Sequence, residues 1–243
     1  MIRLPAMSTS QEQSWHGILD VAERLPRDWC LVGGQMVFLW CAERGGAPAR
    51  PTDDVDTILD VRAKPTIVPD FTRALRAVGF EPDGESWEGH QHRWVRGEAV
   101  IDILIPRGVG ERARSRKGVT GGTTMETPGA QGVLDQAEPV EVLVGERSGT
   151  VQRPSLPAAI AAKAAAYLNP QDSGRQRHLI DIAVLGTLLQ PGDTFDNLAK
   201  RDLDRARRGM DALQTQVAVA ASVEGGDAGV QRLALALDDE ADH

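Results

Sequence analysis

Residues 51–60 read Pro-Thr-Asp-Asp-Val-Asp-Thr-Ile-Leu-Asp, downstream of a Leu-Val-Gly-Gly turn at residues 31–34. The apolar residues that follow the acidic ones predict a strand over Asp54 to Val61. Side chains at i and i+2 of a strand share a face, so Asp54 and Asp56 project together. A second apolar run, Val-Ile-Asp-Ile-Leu-Ile at 100–105, carries a third carboxylate, Asp102. If the two strands are neighbours, the three groups form a set of hard oxygen donors suited to Mg²⁺ and, through it, a triphosphate.

The surrounding residues sharpen this. Asp56 is flanked by Val55, Thr57 and Ile58, and Asp102 by apolar residues on both sides. A buried carboxylate costs several kcal/mol by order of magnitude unless it is compensated. A cation can compensate it; so can a salt bridge to an arginine. The Gly33-Gly34 turn leaves a strand, Trp29 to Val32, and opens a helix over Gln35 to Glu43. Glycines allow close backbone approach, and the free N–H groups of a helix start favour phosphate. The same joint also occurs purely as structure, and only its coupling to the Asp-x-Asp strand gives it chemical weight.

Working outward, apolar periodicity predicts helices at Gln13 to Leu25 and Val68 to Val78. His92 to Val95 and Ala99 to Ile105 read as a hairpin turning at Arg96-Gly97-Glu98, and Val140 to Val144 with Thr150 to Gln152 as another. Pro106 to Gly132 lacks periodicity and reads as a loop or substrate-contacting insertion. After Pro154 all patterns are helical. Ser155 is the expected cap of a helix to Leu168, with Pro157 in its first turn. Further helices are expected at Arg177 to Leu189, from a cap at Asp193 or Thr194 to about Val217, and at Val230 to Leu237. The expected organisation is α+β: a mixed sheet flanked by helices in residues 1–152, then a helical part in 153–243 ending in an acidic tail.

Composition bounds the function. At 243 residues, 41% apolar and 26% charged, the chain can bury a substantial core. No apolar run approaches the roughly 20 residues that span a bilayer, and Met1 to Gln13 lacks a secretory pattern, so a cytoplasmic location is expected. A net charge of −8 argues against non-specific coating of nucleic acid. Arg107 to Lys117 is nevertheless locally basic: either a solvated loop or a holder of an RNA acceptor or a triphosphate tail. Cys30 and Cys41 read as buried free thiols. His90 and His92, with Trp87 and Trp94 beside them, lack the further ligands a zinc site requires.

Leu-Val-Gly-Gly at 31–34, Thr-x-Asp-x-Asp at 52–56 and the Asp102 strand resemble the nucleotidyltransferase fold of the DNA polymerase beta superfamily. Lys163, followed by Arg-His-Leu-Ile-Asp-Ile at 177–182, is similar to the ending of the abortive-infection (AbiE) nucleotidyltransferase toxins. The resemblance implies that Gly33, Gly34 and Thr52 cradle a nucleoside triphosphate, while Asp54, Asp56 and Asp102 bind Mg²⁺. Asp102 would alternatively serve as the base. Lys163 would neutralise the triphosphate, and Asp181 would orient it or help activate the acceptor. Exposed-face readings remain for both: a solvated Lys163 among alanines, and an Asp181 pair with Arg177. A tRNA acceptor and a cognate antitoxin are further implications. Three departures stand out: Gln35 in place of a Gly-Ser pair, a long glycine-to-aspartate spacing, and His178 where an acidic residue is frequent. A small-molecule adenylyltransferase and a non-catalytic binding module of the same fold are the rival readings.

Overall fold

A computed structural model describes residues 1–86 and 89–238. Trp87 and the acidic tail beyond Asp238 therefore lie outside the described residues. The chain opens with a short strand β1 (Ile2–Arg3) and helix α1 (Thr9–Arg24), followed by β2 (Trp29–Val32), α2 (Gly33–Arg44) and β3 (Val55–Leu59). Then come α3 (Ile67–Ala77), β4 (Glu81–Pro82), β5 (Arg93–Arg96) and β6 (Ala99–Pro106). A short α4 (Glu111–Arg114), β7 (Met125–Thr127) and α5 (Ala130–Asp135) lead to the hairpin β8 (Ala137–Val144) and β9 (Arg147–Pro154). Helices α6 (Leu156–Tyr167), α7 (Gln176–Thr187), α8 (Lys200–Thr215), α9 (Val217–Ala221) and α10 (Gly226–Asp238) complete it.

The fold is α+β. Its main sheet runs β2-β3-β6-β5-β4, with β7 extending the line of pairing on β6. β3 and β6 are parallel and the β2–β3, β5–β6 and β4–β5 pairs antiparallel, so the sheet is mixed. A second sheet, β1-β8-β9, packs near β2 and α1. All four residues of β2 are buried, as expected of a strand covered on both faces. Helix α1 turns Trp15, Ile18, Leu19 and Ala22 inward and is capped by Ser8, whose hydroxyl accepts from the Gln11 amide at 3.1 Å. Helix α2 is apolar all round, with Met36 through Cys41 buried, because it lies between the sheet and helices α6 and α7.

Several expectations need correction. Helix α1 starts at Thr9, four residues before the expected Gln13, because Ser8 supplies the cap. Neither Asp193 nor Thr194 caps α8, which begins at Lys200. Asp193 is instead held by Arg44 at 3.0 and 3.2 Å, and this long-range pair outcompetes the local cap. The 106–132 stretch is not structureless, since α4, β7 and the start of α5 fall within it. Ser155 does cap α6, accepting from the Ala158 amide. Cys30 and Cys41 are free and buried. Among the described residues no helix is long and apolar enough to cross a membrane.

Candidate active site

The parallel pairing of β3 with β6 sets Asp56 directly beside Asp102, and Asp54 lies just ahead of β3. The three residues each offer a carboxylate oxygen, and these oxygens lie within 4.8 Å of one another. They sit in a cavity of about 430 Å³, whose lining also includes Gly33, Gly34, Thr52, Arg93 and Lys163. Burial first, then the charges of Asp54 and Asp102, push the Asp56 carboxyl up to about 7. Asp56 therefore gives up its proton less readily than an ordinary aspartate.

The Gly-Gly turn is built around this cluster. Gly33 has φ +68°, and a Cβ there would fall 1.7 Å from Asp56 Oδ2. A Cβ on Gly34 would lie 2.6 Å from Thr52 Oγ1. Both glycines therefore let the start of α2 press against the carboxylate strand. No side chain caps α2, which leaves its first N–H groups available to an anion. Thr52 donates its hydroxyl to Asp54 Oδ1 at 3.0 Å. Gln35 turns into the core, donating to the Thr52 carbonyl at 2.7 Å and accepting from Trp15 Nε1 at 2.8 Å. It braces the loop that carries Thr52.

Helix α6 and the loop before β3 supply the opposite charge. Lys163 on α6 is buried and donates to Asp181 Oδ2 on α7 at 2.6 Å. Arg50 reaches the same carboxylate at 3.1 and 3.3 Å. Burial alone would raise Asp181, but Lys163 and Arg50 outweigh it and hold the carboxyl below its ordinary range. Lys163 and Arg50 line the cavity, and Asp181 anchors both from behind. The exposed-face readings do not hold: Lys163 is not solvated, and Arg177 pairs with Asp172 at 2.7 Å. His178 also binds Asp172, at 2.9 Å; burial and then Lys163 lower its pKa.

Two residues absent from the sequence reading enter here. Arg93 donates to Asp102 at 2.9 and 2.6 Å and to Asp54 at 3.3 Å. Its own pKa is raised by the bond to Asp102. The signal existed in the hairpin: β5 and β6 turn at Gly97-Glu98 alone, pairing Arg93 with Asp102. A three-residue turn misses this by one position. Arg50 had no local signal, since its partner lies 131 residues away. Of the weaker candidates, His90 Nδ1 bonds Thr123 and Trp94 is fully buried. In the basic run, Arg114 pairs with Glu111 and Arg116 donates to the Val61 carbonyl.

No protein-family model matches the chain, and comparison with curated proteins finds no significant match. Solved structures do match. An antigenic nucleotidyltransferase-like protein from Paracoccidioides brasiliensis superposes with a TM-score of 0.52 at 15% identity, covering 90% of this chain and 94% of the other. The chain has the nucleotidyltransferase fold. A second similar structure, the antibiotic-resistance factor ANT(2'')-Ia, gives a TM-score of 0.46 at 16% identity, over 87% of this chain and 95% of that one.

Within this nucleotidyltransferase fold, the donor set fits a divalent metal of the hard, oxygen-seeking kind. Three carboxylates converge, one of them raised by burial and by the charge of the other two, and no histidine or cysteine joins the cluster among the described residues.

Proposed function

We propose that the protein is a Mg²⁺-dependent nucleotidyltransferase that moves a nucleotidyl group from a nucleoside triphosphate to an acceptor hydroxyl. The observation that carries this reading is the gathering of opposite charges in one cavity: Asp54, Asp56 and Asp102 with Lys163 and Arg50. Asp54, Asp56 and Asp102 would hold Mg²⁺, which when bound offsets charge on the attacking and leaving oxygens. Gly33 and Gly34 bring the uncapped N–H groups of α2 to the triphosphate. Lys163 and Arg50 neutralise it, and Asp181 holds both side chains in place.

The acceptor oxygen attacks the α-phosphorus, the bond to the β-phosphate oxygen breaks, and pyrophosphate leaves. The acceptor's proton passes to a carboxylate of the cluster, with Asp102 in that role or as the third metal ligand. The AbiE resemblance adds a finer reading: a toxin acting on tRNA, restrained by a cognate antitoxin. Label transfer to bulk tRNA, compared with transfer to an aminoglycoside, tests that acceptor. For the activity itself, Asp56→Ala abolishes metal-dependent incorporation of label from an NTP. A variant as active as wild type removes Asp56 from the mechanism.

A further inference from the structure

Beside the cavity a second groove, of about 680 Å³, opens between the segment after β6, the end of α6 and the start of α8. It is lined by Arg107, Lys200, Arg201, Arg205 and Arg208 against one carboxylate, Asp204. This local excess of positive charge stands on a chain whose net charge is −8. Arg205 is held by Asp202 at 2.6 Å. Arg107, Lys200, Arg201 and Arg208 are exposed and make no ion pair among the described residues.

The arrangement has a direction. Arg201, Arg205 and Arg208 stand at i, i+4 and i+7 of α8, one helical face. At 1.5 Å per residue they span about 10 Å, long enough to meet more than one phosphate of a nucleic-acid strand. Guanidinium groups are forked donors matched to phosphate oxygens. Pro128 and Asn169 line both this groove and the carboxylate cavity, so the two share a rim. A strand in the groove therefore brings its terminal hydroxyl to the cavity, whereas a cationic small molecule would be repelled.

We propose that this groove holds the phosphate backbone of a single-stranded nucleic-acid acceptor, whose end enters the cavity. The inference rests on the nucleotidyl-transfer reading and names its substrate class. It also relocates the basic surface foreseen at 107–117, of which only Arg107 lines the groove.

Anisotropy with fluorescent single-stranded RNA and DNA oligonucleotides tests it on the full chain. Wild type binds at low salt, and Arg201→Glu/Arg208→Glu weakens binding at least tenfold. Its salt slope becomes shallower by about 1.4, from roughly 0.7 per lost phosphate contact. Arg112→Glu/Lys117→Glu makes the same change of charge outside the groove and stays within about twofold of wild type; equal losses in both variants overturn the site. Absence of strand binding also overturns it, and polyglutamate bound in its place points to an acidic protein instead. Binding of either strand supports the phosphate site, and the RNA and DNA arms distinguish the sugar. Calorimetry of Mg²⁺-dependent NTP binding separates the two readings. NTP binding without groove-dependent strand binding sinks the groove alone; strand binding without NTP binding sinks the transferase reading while the groove stands.

Discussion

Replacing Asp56 by asparagine should make the metal-free protein more stable while removing its activity. Burial, then Asp54 and Asp102, raise the Asp56 carboxyl to about 7 in the folded chain, against about 3.9 for an unfolded aspartate. Between those values the native state retains a proton that the unfolded chain has released. The contribution of Asp56 to stability is therefore highest below about pH 4, falls as pH rises to about 7, and is level beyond. Three pK units at about 1.36 kcal/mol each set an upper bound of about 4 kcal/mol. Asp56 lines an open cavity and is only half-buried, so about 2 kcal/mol is the expected value at pH 8. Asparagine carries no charge and escapes both the cost of burying a carboxylate and the repulsion by Asp54 and Asp102. Urea unfolding in EDTA should show Asp56→Asn above wild type by that amount at pH 8, with the gap closing towards pH 4. Added Mg²⁺ should then stabilise wild type and leave the variant unmoved. A variant no more stable than wild type at pH 8, or a gap independent of pH, would refute the claim that burial and neighbouring charge strain the ionised Asp56.

Two further outcomes follow from the same geometry. Arg93→Ala removes the guanidinium that bonds Asp102 and Asp54. Charged hydrogen bonds are worth about 1.5–3 kcal/mol, so Mn²⁺ affinity at pH 8 should rise about tenfold or more by calorimetry. Weaker metal binding would instead make Arg93 a positioning residue. Gly33→Ala places a methyl group 1.7 Å from Asp56 Oδ2 at φ +68°. It should lower stability by about 1–2 kcal/mol through the left-handed backbone alone, and transfer by about 100-fold through displacement of the carboxylate. Wild-type transfer in that variant would show that the cluster tolerates movement.

The legible parts of this molecule were the local ones. Strand β2 was readable from four consecutive apolar residues, and the start of α6 from Ser155 and Pro157. Helix α8 was misplaced because Asp193 looked like a cap, while its partner Arg44 lies 149 residues away. Arg93 was overlooked through one residue of hairpin register.

The sequence by itself pointed to Asp54 and Asp56 as partners through strand alternation, although β3 begins only at Val55 and Asp54 stands just ahead of it. It also determined that a glycine turn precedes them and that a third carboxylate lies in an apolar strand. Only the tertiary structure decided that Asp102 stands beside Asp56 and that Arg93 bridges Asp102 to Asp54. It alone decided that Lys163 and Arg50 meet on Asp181, and that α8 extends the cavity into a basic groove. Periodicity is a property of neighbours along the chain. Register and long-range charge pairing arise only when distant segments compete for the same buried partners.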